Sequence, residues 1–203
     1  MKKLPKFIFV HIVKTGGTSL REMIKKLYND KYILDKTYNR KNKILTIKNK
    51  PYPKDYKSKS VIHGHFRFDR YEHLGWPMIT FIRHPVSRMV SEYSRIQYRL
   101  KGQYKLDIVS FARIHRSNLY NEVIGDVSKF AFIGITENYD KSIKDLEKVL
   151  GIKFGPIKKI NVMPPNYTYK LSKAQRKKIE IITKKDIELY HTQKILLNKR
   201  NKK

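Results

Sequence analysis

Residues Phe7 to Leu27 constrain this chain most. Phe7-Ile8-Phe9-Val10-His11-Ile12-Val13 is an apolar run rich in β-branched and aromatic residues, which predicts a buried strand. Lys14-Thr15-Gly16-Gly17-Thr18-Ser19 interrupts it. Leu20, Met23, Ile24 and Leu27 then recur at helical spacing. The order is strand, short glycine-rich turn, helix. Such an order can build an anion site, because N–H groups at a helix N-terminus point at the ligand and the helix dipole favours negative charge. Gly16 and Gly17 let the backbone approach a phosphate. Thr18 and Ser19 add hydroxyl donors, and Lys14 adds a point charge. A βα turn that binds nothing has the same outline. The string is not the nucleotide P-loop, because Gly-Lys-Ser/Thr is missing and the lysine precedes the glycines.

Two later patches repeat the pattern of a strand ending in polar chemistry. Ser60-Val61-Ile62 leads into His63-Gly64-His65, which places the histidines at the C-terminal end of a strand, where open α/β sheets bind ligands. In an extended segment His63 and His65 face opposite sides. His11, inside the first strand, is expected to pack or hydrogen-bond near the site. Met78 to Ile82 predicts the next strand, followed by Arg83-His84-Pro85 and a helix with Val86, Met89, Val90 and Tyr93 on one face. Pro85 suits a first helical turn. Arginine is the side chain for bidentate phosphate contact.

The first string, with His11 and Lys14, closely resembles the 5′-phosphosulfate loop of sulfotransferases that use 3′-phosphoadenylyl sulfate (PAPS). Val13 stands where many members carry proline, a change that removes a rigid turn residue but no ligand atom. His63-Gly64-His65 is similar to the His-Gly-His of uronosyl 2-O-sulfotransferases, whose second histidine is taken as the catalytic base. Arg83, Pro85, Arg88, Ser91 and Tyr93 resemble the family's 3′-phosphate fingerprint, in which an arginine and a serine eight residues later bind the phosphate. Phe132-Ile133-Gly134-Ile135-Thr136-Glu137 ahead of a helix resembles the family again. The likeness runs in order over residues 7 to 197, although its specific motifs fill only short patches.

The resemblance implies a donor site of Lys14, Thr15, Gly16, Gly17, Thr18, Ser19, Arg83 and Ser91. It implies His65 as catalytic base, His63 in support, and Lys14 neutralising charge on the oxygen that leaves with the phosphate. PAPS is then the co-substrate, and no metal is required, because the leaving group is already activated. The acceptor is a hydroxyl, expected on a carbohydrate. The fold implied is α/β, a single domain over residues 1–203 with a central parallel sheet flanked by helices and a topology related to P-loop NTPases. Residues 198–203 are expected to fray.

Between the motifs, Tyr32-Ile33-Leu34 predicts a short strand, 35–59 a lysine-rich loop, and Ile108 to His115 a helix. Phe130 to Ile135 predicts a strand, followed by a helix with Ile143, Leu146, Val149 and Leu150 on one face and Gly151 at its end. Residues 156–165 read as a loop, Ser172 with Gln175 as a capping box, and Ile187 to Leu197 as a last helix.

The 203 residues suit one domain, and 40% hydrophobic content is enough for a packed core. The absence of cysteine excludes a disulfide scaffold, a thiol nucleophile and a cysteine zinc site. Only Met1 to Lys6 precede the first strand, which leaves no room for a signal peptide and makes a cytoplasmic location the expectation. Lys+Arg 46 against Asp+Glu 17 gives a net charge of +29. Such a field favours anionic partners, including an acidic glycan acceptor. The lysines are scattered, so composition alone accounts for the excess equally well. Two rivals from other classes are a P-loop kinase or NTPase and a basic nucleic-acid-binding protein. The first lacks Gly-Lys-Ser/Thr and a placed magnesium carboxylate. The second lacks a basic cluster, and no nucleic acid is expected as partner.

Overall fold

The computed structural model describes residues 3–35, 51–114, 119–156, 160 and 167–200. Most of the expected 35–59 and 156–165 loops, His115, and residues 201–203 of the expected frayed tail lie outside the described residues. The elements, in chain order, are β1 (Phe7–Val10), α1 (Gly17–Tyr28), β2 (Tyr32–Asp35), β3 (Val61–Gly64), β4 (Met78–Ile82), α2 (Pro85–Arg99), α3 (Ile108–Ile114), α4 (Leu119–Ile124), β5 (Phe130–Ile135), α5 (Tyr139–Leu150), α6 (Lys173–Ile182) and α7 (Lys184–Arg200). They group into two compact units, Met1–Ile82 with Glu122–Ile160, and Arg83–Asn121 with Asn161–Lys203.

The first unit holds the sheet. Its strands are parallel, in the order β2-β3-β1-β4-β5, so the fold is α/β as expected. β1 lies at the centre, and all four of its residues are buried, as are those of β3 and β4. Burial on both faces explains why these strands read as continuous apolar runs rather than alternating ones. Each fully buried Phe, Ile or Val side chain contributes about 1.5–3 kcal/mol. Thr80, the one polar residue of β4, is buried and donates its hydroxyl to Val10 O at 2.7 Å.

The polar stretch from Arg67 to Gly75 folds as a 3₁₀ helix over Phe68–Leu74 with Arg70 and Tyr71 buried. Asp35, the last residue of β2, explains this. Its Oδ2 accepts from Arg70 Nε at 2.7 Å and from the Tyr71 hydroxyl at 2.8 Å. Arg70 Nη2 also donates to Pro51 O at 3.1 Å, which ties the chain after residue 50 to the C-terminal end of the sheet.

The second unit is helical. Val86, Met89 and Tyr93 of α2 pack with Ile108, Phe111 and Ala112 of α3 and Ile179 of α6. Pro85 occupies the first turn of α2. Ser172 and Gln175 form the predicted capping box at the start of α6. The last helix is longer than its apolar pattern, running over Lys184–Arg200, and α4 is additional to the expected elements. Among the described residues no helix is long and apolar enough to cross a membrane.

Candidate active site

The loop between β1 and α1 is built by three local devices. Lys14 and Gly16 have φ of 67° and 81°, both left-handed. For Lys14 that conformation costs about 1–2 kcal/mol, and it turns the chain out of the strand. Thr15, fully buried, donates its hydroxyl to Ile12 O at 2.8 Å and closes the turn. Gly16 is the N-cap of α1, without a side-chain cap, and the first turn of α1 holds no acidic residue. The helix N-terminus therefore keeps its positive end uncompensated by its own turn, which fits an anionic ligand.

Packing inside the protein already demands glycine at 17. A Cβ there would lie 2.1 Å from His11 Nε2. Gly17 is thus needed to seat α1 against His11, and a Cβ at Gly16 would meet the Tyr139 ring, besides any phosphate the pair admits.

The β5–α5 connection clamps the loop. Thr136 Oγ1 lies 2.9 Å from both Thr15 O and Ile82 O and shares its proton between them. The Tyr139 hydroxyl donates to Gly16 O at 3.3 Å. Ser19, buried, accepts from Ile160 N–H at 3.0 Å. Thr18 and Lys14 are half-buried. The Thr15 hydroxyl is thereby committed to the turn, whereas the hydroxyls of Thr18 and Ser19 donate to no partner among the described residues.

The histidines form one stack. β1 and β3 are paired in parallel, with Phe9 opposite His63. His63 Nε2 lies 3.1 Å from His11 Nδ1, and His63 Nδ1 lies 2.7 Å from the Tyr32 hydroxyl. His65 Nδ1 lies 2.6 Å from His11 O. The rings of His63 and His65 both stack on His11, with centroids 5.1 and 4.3 Å away. The expectation that His63 and His65 face opposite sides is therefore corrected. β3 stops at Gly64, and past the strand end the alternation of side chains no longer holds.

The charge states follow from burial. His11 and His63 are held well below the ordinary histidine range, chiefly by burial and secondarily by His65 and by Arg21 on α1. His63 adds to the effect on His11. Both rings are neutral at pH 7. A carbonyl only accepts, so His65 carries its proton on Nδ1. In the neutral ring the lone pair of His65 then sits on Nε2. A backbone carbonyl here orients the His65 ring as a carboxylate orients the histidine of a Ser-His-Asp triad.

Arg83 and Ser91 belong to the second unit. Arg83 directly follows β4, and Ser91 lies on α2, both half-buried. The backbone of Arg83 is pinned by Tyr120 on α4. Arg83 N–H donates to the Tyr120 hydroxyl at 3.0 Å, and that hydroxyl donates back to Arg83 O. Tyr120 N–H in turn donates to Asp186 Oδ1 at 3.0 Å. Arg88 is wholly buried. Its Nη1 donates to Glu92 Oε2 at 2.8 Å, while Nε and Nη2 have no partner among the described residues. Two buried guanidinium donors of this kind fit an anionic ligand. Among the described residues no group of three His, Cys, Asp or Glu is placed to hold a metal ion.

A family model described as "Sulfotransferase family" matches residues 1–125, well over half of the chain. It covers both the Lys14–Ser19 loop and the Arg83–Ser91 segment. No curated protein matches the sequence. Among solved structures, a sulfotransferase from Alicyclobacillus acidocaldarius is 12% identical with a TM-score of 0.47, over 94% of this chain and 100% of that one. Mouse sulfotransferase SULT7A1, complexed with PAP, is 14% identical with a TM-score of 0.46, over 87% of this chain and 63% of that one.

Proposed function

The chain belongs to the sulfotransferase family, and from that premise we propose that it moves a sulfonyl group from PAPS to a hydroxyl on a carbohydrate, with His65 as the general base. The observation that carries the reading is the bond from His65 Nδ1 to His11 O, which leaves Nε2 as the basic nitrogen at the end of β3, beside the loop that follows β1.

PAPS supplies a sulfonyl group on an already activated anhydride. The loop residues Lys14, Thr15, Gly16, Gly17, Thr18 and Ser19 receive its 5′ end. The N–H groups of the first turn of α1 and the hydroxyls of Thr18 and Ser19 act as donors, and Thr15 acts through its backbone and the turn it closes. Arg83 and Ser91 take the 3′-phosphate, a role that rests on their motif. His65 Nε2 accepts the proton of the attacking hydroxyl. A positioned base of this kind contributes about 10²–10⁴-fold. As His65 becomes an imidazolium, its Nδ1–H to the His11 carbonyl becomes a charge-assisted bond, which strengthens when the proton arrives. Lys14 meets the negative charge that develops on the leaving oxygen. His63, buried and neutral, supports His11 rather than touching the acceptor.

The experiment is a transfer screen with sulfur-labelled PAPS over a panel of glycans, lipids and peptides. Label on a glycan hydroxyl supports the reading, and label on acidic glycans supports a use for the +29 charge. Label only on peptide tyrosine or lipid overturns the carbohydrate assignment, and a hydrolysed ATP in place of any transfer points to an NTPase.

A further inference from the structure

We propose that Tyr32 is a positioning residue of this site, acting on His65 through the buried hydrogen-bonded chain Tyr32–His63–His11. The proposal rests on the reading of His65 as the base. Tyr32 begins β2 and lies opposite Val61, two residues before His63 on the neighbouring strand. That offset puts the two side chains on one face of the sheet within reach. The hydroxyl meets His63 Nδ1 at 2.7 Å, and His63 Nε2 meets His11 Nδ1 at 3.1 Å.

The chain has a direction. Burial pushes the Tyr32 phenol up, so its proton stays on oxygen. His63 Nδ1 is the acceptor beside that proton. His63 must then carry its own proton on Nε2 and give it to His11 Nδ1. His11 in turn carries its proton on Nε2, against Gly17. One hydroxyl thereby sets the tautomers of two buried rings.

His11 is where the chain reaches the base. Its N–H donates to Gly64 O at 2.8 Å, its ring is fixed by His63, and its carbonyl and ring face hold His65. Phe9 backs His63 with centroids 4.7 Å apart, so His63 cannot swing freely. The charged groups facing this chain are Arg21, which acts on Tyr32, His63 and His11, and Glu22, which acts on Tyr32. Arg21 and Glu22 are themselves paired at 2.7 Å. His65 is the remaining titratable neighbour of both imidazoles.

Long-range proton–nitrogen NMR of the imidazole rings, in the whole protein and in Tyr32→Phe, tests this directly. In the wild type, neutral His65 should show its proton on Nδ1, and His63 and His11 should each show a single tautomer protonated on Nε2. In Tyr32→Phe the tautomers of His63 and His11 should mix, His63 should start to protonate at higher pH, and the His65 signals should move. Affinity for PAP should stay within about twofold, because the change lies behind the loop and removes no donor from it. Changes confined to His63, with His65 unmoved, would overturn the proposal while leaving the base assignment standing. The wild-type spectrum alone also decides, even without a folded variant: a neutral His63 protonated on Nδ1, or a mixed tautomer, refutes the chain. The base assignment fails by a separate result, normal sulfonyl transfer by His65→Ala.

Discussion

Mild acid should destabilise this protein steeply, and the buried imidazoles set the size of the effect. His11 and His63 have an ordinary pKa of 6.5 when unfolded and sit well below it when folded, mainly because burial penalises the charged rings. Below pH 6.5 the unfolded chain binds protons that the folded chain refuses. The stability these rings provide is therefore complete above pH 6.5 and is lost as the pH falls. Each ring contributes a slope of up to about 1.4 kcal/mol per pH unit. For the pair the limiting slope is about 3 kcal/mol per pH unit, a large share of a total of roughly 5–15 kcal/mol. Denaturant unfolding followed by circular dichroism at a series of pH values measures it. His63→Gln should roughly halve the slope, since one of the two titrating rings is gone. A stability that is flat between pH 7 and 5, or a slope unchanged by His63→Gln, would refute the argument.

Three further outcomes are expected. Arg83→Ala should weaken PAP binding about ten- to hundredfold in titration calorimetry, since a charged hydrogen bond contributes about 1.5–3 kcal/mol, and equal wild-type affinity for PAP and ATP would remove the 3′-phosphate assignment. Gly17→Ala should cost about 1–3 kcal/mol by overpacking, seen as a lower melting temperature, because its Cβ would press on His11 Nε2 from 2.1 Å; an unchanged melting point would show that the ring gives way. If the +29 charge steers an acidic acceptor, kcat/KM should fall as ionic strength rises, and a flat salt dependence with a neutral acceptor would assign the excess to composition.

How much of this was legible in the sequence depended on range. The strand, turn and helix of residues 7–28 were legible because apolar spacing and glycine are local signals, and α6 was legible through its capping box. β1 ends at Val10, short of the apolar run, because the Thr15 hydroxyl and the left-handed Lys14 already bend the chain there. The facing of His63 and His65 was misread because the end of β3 is set by its partners and not by its own residues. For Tyr32, Tyr120, Thr136 and Tyr139 the sequence signalled no contact with the site, although Tyr32 fell in a predicted strand and Thr136 in a family-like motif. They act on His63, Arg83, Thr15 and Gly16 across 31, 37, 121 and 123 residues, and no pattern in one sequence spans such separations. α4, at six residues, is too short to show a helical period.

The most direct test is the rate of sulfonyl transfer from labelled PAPS by His65→Ala and His63→Ala, with PAP affinity and melting temperature measured on the same proteins. His65→Ala should lose about 10²-fold or more in kcat with PAP affinity nearly intact, because a base acts on the acceptor's proton and not on the donor's phosphates. His63→Ala should lose stability along with activity, because the His63 ring is buried between Phe9, Tyr32 and His11. Near-normal turnover by His65→Ala, beside a folded but inactive His63→Ala, would contradict both expectations and exchange the two roles.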